Sequence, residues 1–247
     1  MRTLALACLL FFAPAFAEQG LTSMLSQDYL QIYSNFQGSE ITVFGALENS
    51  SDVGPDSLKG QIVVVVRGPD ALQTVRKKER VAGIWINRAR AKMWLPSYYF
   101  VASTAPLANI ASGETLRRYE LGLNNLQAEV VASDGSARPY QAALVRAQQK
   151  SGLYRENPAG VEQQSTAFRV HVPVPASVPR GSYTVEVYLF RDGNVIAAQS
   201  TPFYVDQAGF ERRLFEFAHQ KPLYYGVATV LMGILLGWGS TFFFKRS

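Results

Sequence analysis

The amino-acid sequence predicts a mainly β fold: an immunoglobulin-like β-sandwich, taken as two units, with helical insertions and one C-terminal transmembrane helix. Three observations lead there. Runs of strand length, β-branched or alternating, recur between turn residues from Glu40 to Val205. Apolar residues crowd the two ends of the chain, 14 of the first 17 and 15 of the 22 from Leu223 to Phe244. One cysteine and two histidines in 247 residues rule out a disulfide framework and argue against a histidine metal site.

At the N-terminus, Arg2 supplies a positive start, Leu4 to Phe12 is apolar, and Ala15-Phe16-Ala17 is a small-x-small cleavage sequence. This pattern predicts a signal peptide over residues 1–17. Leu4 to Ala17 is 14 residues, short of the roughly 20 a helical span needs. The sole cysteine, Cys8, lies inside it, so the mature chain is expected to carry no thiol into an oxidising compartment.

The first unit is expected over residues 18–125. Glu40–Leu47 and Gly60–Arg67 are β-branched runs, Val81–Asn87 (VAGIWIN) reads as a third strand, and Gln127–Ala132 is a weaker fourth just past the boundary. The unbroken Ile62–Val66 run implies a strand covered on both faces. Ser112 is placed to cap a helix running to about Leu123, and Pro139 to open another that Gly152 ends. In the second unit, 126–206, Ala167–Val174 and Ser182–Phe190 alternate, and Arg191-Asp192-Gly193-Asn194 is a hairpin turn into Asn194–Val205. Pro179-Arg180-Gly181 ahead of Tyr183 has the form of a tyrosine corner. One large sandwich with a helical insertion fits the same pattern; the division near residue 125 is the reading taken.

Residues 207–222 follow, where Phe210, Leu214 and Phe217 form an apolar stripe beside Arg212 and Arg213, as in an amphipathic juxtamembrane helix. Leu223 to Phe244 then runs 22 residues without a charge, about 33 Å as a helix and enough to cross a hydrocarbon core. Gly226, Gly233, Gly237 and Ser240 line one face of it, the small-residue spacing that lets membrane helices approach closely, either self-associating or against a multispan partner. Basic residues flank both sides, so the signal peptide decides orientation: residues 18–222 in the periplasm, 245–247 in the cytoplasm, the chain single-pass in the inner membrane.

No catalytic motif is present: no HExxH, nucleophile elbow, P-loop or GxGxxG. His171 and His219 stand apart and read as surface groups; no catalytic residue, metal site or cofactor is expected. The informative polar feature is Lys59–Lys92, with nine basic and two acidic residues. Its densest part, Arg76, Lys77, Lys78 and Arg80, is read as a loop or edge between strands, able to steer an anion or an acidic partner surface. Such a cluster equally serves as a solvated edge that blocks sheet-to-sheet pairing. Trp94, Tyr98 and Tyr99 follow at once, within Met93–Phe100, and could extend it as an exposed recognition patch or else fill a core. Nucleic acid is not an expected partner in this compartment.

The segments ITVFGA, IVVVVRGP, VRKKERVAGIWIN, SYYFVASTAPL, GLYRE, VPRGSYTVEVYLFRDG and the terminal YYG…GW span, in this order, resemble the Alph-Pro TM family of alphaproteobacterial transmembrane proteins. The resemblance covers essentially the whole mature chain. It implies an exported domain on a single anchor and association with a sulfite-exporter-like (TauE/SafE) membrane permease, and it brings no catalytic residues with it.

Overall fold

Strand β4 (Gln61–Arg67) shows why the chain folds as it does: every residue from Ile62 to Val66 is fully buried. Ile62, Val64 and Val66 enter one apolar core, Val63 and Val65 another on the opposite side. An unbroken β-branched run therefore lies in the middle layer of three, as its sequence predicts, and each such side chain contributes about 1.5–3 kcal/mol by leaving water. The computed structural model describes residues 20–33, 36–47, 60–207 and 217–244.

The middle layer is a six-stranded sheet in the order β2 (Tyr29–Ile32), β13 (Asn194–Gln207), β12 (Gly181–Arg191), β4, β7 (Tyr99–Ser103), β9 (Tyr154–Pro158). On one face it packs against a four-stranded sheet, β1 (Leu21–Leu25), β3 (Ser39–Leu47), β11 (Ala167–Val174), β10 (Val161–Gln164). The alternation of β11 buries Phe168, Val170, Val172 and Val174 there. The other face is roofed by a third sheet, β5 (Asp70–Val81), β6 (Ile84–Pro96) and β8 (Glu129–Ser133), together with helices α1 (Leu107–Ile110), α2 (Gly113–Arg118) and α3 (Arg138–Lys150).

Both sheets of the sandwich mix strands from either side of residue 125: β4 pairs with β12, and β3 with β11. The expected division into two units is corrected accordingly to one interleaved sandwich. The fold is mainly β. Tyr183, in β12, donates its hydroxyl to the Pro179 carbonyl, the corner contact its sequence predicts.

The helices follow their capping signals. Ser112 accepts from the Thr115 amide at 3.2 Å and opens α2, which stops at Arg118 instead of reaching Leu123. Pro139 sits in the first turn of α3, and Gly152 follows its end at φ +78°.

A second correction concerns Val81–Asn87. It is not one strand but the tip of a hairpin: β5 ends at Val81, and β6 begins at Ile84. Ala82 and Gly83 turn the chain with φ of +48° and +86°, the same left-handed pair that Asp192 and Gly193 form at +50° and +78° between β12 and β13. At its base this hairpin continues β4 and β7 through a kink at Gly68-Pro69. A Cβ on Gly68 would stand 2.9 Å from both the Tyr183 ring and Ser97. The kink lies at the end of the middle sheet where Arg67 of β4 pairs with Thr184 and Val205 of β13 with Gly181, so the hairpin springs from the end at which β13 leaves the sandwich.

The last element, α4 (Pro222–Phe244), is a 23-residue helix without a charged side chain. Its side chains are described as far as Trp238, and among the described residues no helix is long and apolar enough to cross a membrane. The expected signal peptide and cytoplasmic tail, and Phe210 and Leu214 of the juxtamembrane stripe, lie outside the described residues.

Candidate functional site

The basic residues singled out in the sequence stand on the β5–β6 hairpin, not in a loop. The hairpin has a rooted half and a free half. In the rooted half, Ala91, Met93 and Leu95 of β6 are buried in the second core, and β8 pairs with Ala91 to Trp94. Asp134 closes that pairing: its carboxylate accepts from the Arg90 amide at 2.9 Å, and its own amide donates to the Arg90 carbonyl. Beyond this point neither strand has an outer neighbour among the described residues, and every described side chain from Arg76 to Asn87 is exposed. Six residues of β5, Arg76 to Val81, extend about 20 Å at strand rise.

Register sorts the side chains by face. Arg76 stands directly opposite Arg90, Lys78 opposite Asn87, and Arg80 opposite Trp85, all on the outward face; Thr74 and Lys92 precede them. Lys77 points to the other face, opposite Ala89, and there Val81 and Ile84 end the hairpin. A bulge between Lys77 and Lys78 sharpens the local twist. At the tip, Ile84 is 67% exposed and Trp85 66%. A cationic collar thus carries an apolar point, a combination absent from the sequence reading, which placed Trp85 inside a strand.

The aromatic half of the predicted patch divides. Trp94 is 40% exposed and lies on the same outward face as Arg76, four residues nearer the base, beside Leu72. Tyr98 and Tyr99 are buried, so of the two alternatives they fill a core and take no part in an exposed patch. Tyr98 points into the sandwich core and donates to the Pro173 carbonyl at 2.6 Å; Tyr99 points into the second core, donates to the Glu120 carbonyl at 2.9 Å and accepts from the Gly122 amide. Burial raises both phenol pKa values well above the ordinary range; for Tyr99 the nearby Arg67 works against that rise. Consecutive strand residues face opposite ways, and here both faces are covered.

Arg67, at the base of the hairpin, is the counter-example to the exposed cations. Its guanidinium reaches Glu120 at 3.0 Å and Glu186 at 3.1 Å, donates to the Tyr119 carbonyl at 2.9 Å and lies 5.5 Å from the Tyr99 ring centre. Burial alone would lower its pKa, but the negative potential of Tyr99, Glu186 and Glu120 leaves it raised. This group pins Glu120, a non-glycine residue at φ +54°, and with it the turn after α2.

A second surface escaped the sequence reading. Between α2, the 123–128 segment and α3 runs an open groove of about 980 Å³, whose lining includes Arg117, Arg118, Arg138 and Arg146 and two carboxylates, Glu114 and Glu156. Its floor is tied down by Gln141 donating to the Leu126 carbonyl at 2.6 Å and Asn125 to the Leu121 carbonyl at 2.6 Å. Its arginines come from elements some 20 to 30 residues apart and form no linear cluster, so only the fold assembles it. His171 pairs with Glu40 at 2.6 Å on an exposed strand face. Among the described residues no group of three or more His, Cys, Asp or Glu could hold a metal ion.

On α4, a Cβ added to Gly226, Gly233 or Gly237 would meet nothing within 4 Å; Ser240 lies beyond the described side chains. Around these three glycines the described helix surface has room for a side chain.

Fold and surfaces together define a mainly β protein that holds an extended cationic arm on a sandwich and carries an uncharged helix, Pro222–Phe244. The chain belongs to the family described as "Putative transmembrane protein (Alph_Pro_TM)", which matches residues 20–246. No protein of curated function matches it. Among solved structures it is similar to the crystal structure of Spo0M, sporulation control protein, from Bacillus subtilis, with 10% identity and a TM-score of 0.30 over 81% of this chain and 54% of that one. The chain spans about half of that protein's length, and a likeness this distant carries no argument.

Proposed function

We propose that the chain is a single-pass protein of the inner membrane, anchored by Leu223–Phe244, whose periplasmic sandwich is a non-enzymatic interaction module and an accessory subunit of a multispan partner of the sulfite-exporter-like (TauE/SafE) kind. The observation that carries the reading is the pairing of an uncharged 23-residue helix with an open glycine stripe. The residues described with side chains stop at Trp238 and make no span by themselves; with the uncharged sequence that continues to Phe244, 23 residues at about 1.5 Å each give roughly 34 Å, the thickness of a hydrocarbon core. The transmembrane description of the family supports the same reading.

Close helix packing in lipid relies on van der Waals contact, and a leucine at a glycine position would hold two helices apart. Co-purification of the full-length protein from native membranes tests this. A co-purifying multispan protein or second copy is expected, and Gly233→Leu with Gly237→Leu is expected to abolish it. A protein that runs alone, or a complex indifferent to both leucines, overturns the reading.

A second reading, a binding module for a small anion or an envelope polymer, is favoured by the arginine groove. A guanidinium fork matches the planar acceptor geometry of oxyanions, and four arginines line this groove. Isothermal titration of the full-length protein with sulfate is expected to show saturable heat that Arg117→Ala with Arg146→Ala removes. Heat absent, or unchanged by those substitutions, removes the reading.

A further inference from the structure

We propose that the tip of the β5–β6 hairpin docks on the surface of an anionic phospholipid bilayer, with Ile84 and Trp85 in the interfacial zone and Arg76, Lys78, Arg80 and Arg90 on the lipid phosphates. The inference rests on the anchored reading above and adds a second membrane contact, made by the sandwich.

Four observations carry it. First, Ile84 and Trp85 are two-thirds exposed at the end of an arm that projects past its last supporting strand. A free edge protected only by charge has no use for an isoleucine and an indole at its point, whereas the headgroup region is where an amphipathic indole is most stable. Second, Arg76 and Arg90 face each other directly across the hairpin, an arrangement that destabilises an isolated sheet. A surface of negative charge turns that repulsion into attraction, and a negative leaflet draws basic residues within a Debye length of it.

Third, position fits. The arm is rooted at the end of the middle sheet at which β13 ends, and α4 is the element that follows β13 in the chain. Fourth, the anchor removes the translational cost of meeting the membrane, so a point of two apolar side chains suffices where a free protein would need a larger one.

The test uses the full-length chain in lipid nanodiscs, made of phosphatidylcholine alone or of phosphatidylcholine with phosphatidylglycerol. The chain has three tryptophans. In the Trp94→Phe, Trp238→Phe variant Trp85 reports alone, and in the Trp85→Phe, Trp94→Phe variant Trp238 reports the anchor. With phosphatidylglycerol present, Trp85 emission is expected to shift to the blue and to be quenched by lipids brominated high on the acyl chain. Arg76→Glu with Arg80→Glu should abolish both, since each basic group near such a surface is worth about fivefold in partitioning. Added salt should weaken both effects.

Trp238 quenched while Trp85 keeps a water-exposed emission in both lipids overturns the docking inference and leaves the anchor standing. Trp85 shifted to the blue but not quenched by brominated lipid means a protein surface covers the tip, which also overturns it. Trp238 unquenched overturns the anchor itself. Far-ultraviolet circular dichroism of the glutamate variant, unchanged from the parent, attributes its loss of docking to charge and not to folding.

Discussion

The two halves of one hairpin share a strand and reach opposite fates. On β6, Met93 and Leu95 close the second core, while Ile84 and Trp85, a few pairs further out, stand in water. The cations divide in the same way: Arg67 at the root is held by two carboxylates and a carbonyl, whereas Arg76 at the start of the arm faces another arginine. Burial and pairing turn similar residue types into a foundation at one end and an instrument at the other. If that division is right, substitutions should sort by where they fall along the hairpin and not by residue type.

The largest expected effect belongs to the foundation and is read by pH. Tyr98, Tyr99, Tyr154, Tyr183 and Tyr188 all have pKa values raised above the ordinary phenol value, in each case first by burial. A folded-state pKa above the unfolded one means that the unfolded chain loses protons first as pH rises. Stability is therefore unaffected below about pH 10 and falls above it, by about 1.4 kcal/mol per pH unit for each group. Phenolate absorbance with circular dichroism should show these five ionising only as the β signal is lost. Reversible ionisation of all 12 tyrosines with the fold intact would show the two cores to be open to water.

Next in size is the contrast between Leu95 and Trp85. Leu95→Ala removes a side chain that is 1% exposed and should cost about 2–5 kcal/mol in urea unfolding of the detergent-solubilised protein. Trp85→Ala should stay within about 0.5 kcal/mol, as exposed positions do. Similar costs at both would mean that the tip is packed and the arm is not free. Arg67→Ala comes third. It strands Glu120 and Glu186, but the three side chains retain 18, 32 and 26% exposure, so solvent limits the loss to about 1–2 kcal/mol. Arg67→Lys should recover only part of it, because an ammonium cannot span both carboxylates and the Tyr119 carbonyl as the planar fork does.

How far the sequence could be read follows the same line between foundation and arm. Where burial is periodic, the residue pattern reports it: the continuous run of β4, the alternation of β11 and β12, and the Asp192-Gly193 turn all take the structure their spacing predicts. The arm was hidden because Ala82-Gly83 makes the same backbone turn without a signature residue at its first position. Tyr98 and Tyr99 were ambiguous because an aromatic cluster reads alike in a core and on a binding surface, and only the covering of both sheet faces decides. Interleaving of the two chain halves, and the groove that collects Arg117 and Arg146, are products of long-range pairing that no local window contains.

The smallest expected effect is the sharpest test of the comparison, because its sign differs from all the others. Arg76→Glu places a carboxylate directly opposite Arg90, replacing a like-charge cross-strand pair with an attractive one, and should stabilise the fold by about 0.2–1 kcal/mol, less in high salt. Every substitution in the rooted half destabilises; this one should raise the urea midpoint while removing charge that the tip needs at an anionic bilayer. A gain in stability with a loss of docking marks a residue kept for function at the fold's expense. Loss of stability on Arg76→Glu would instead place Arg76 in the foundation, paired in a way that exposure and register do not indicate, and the border between the two halves of the hairpin would move outward toward Arg80.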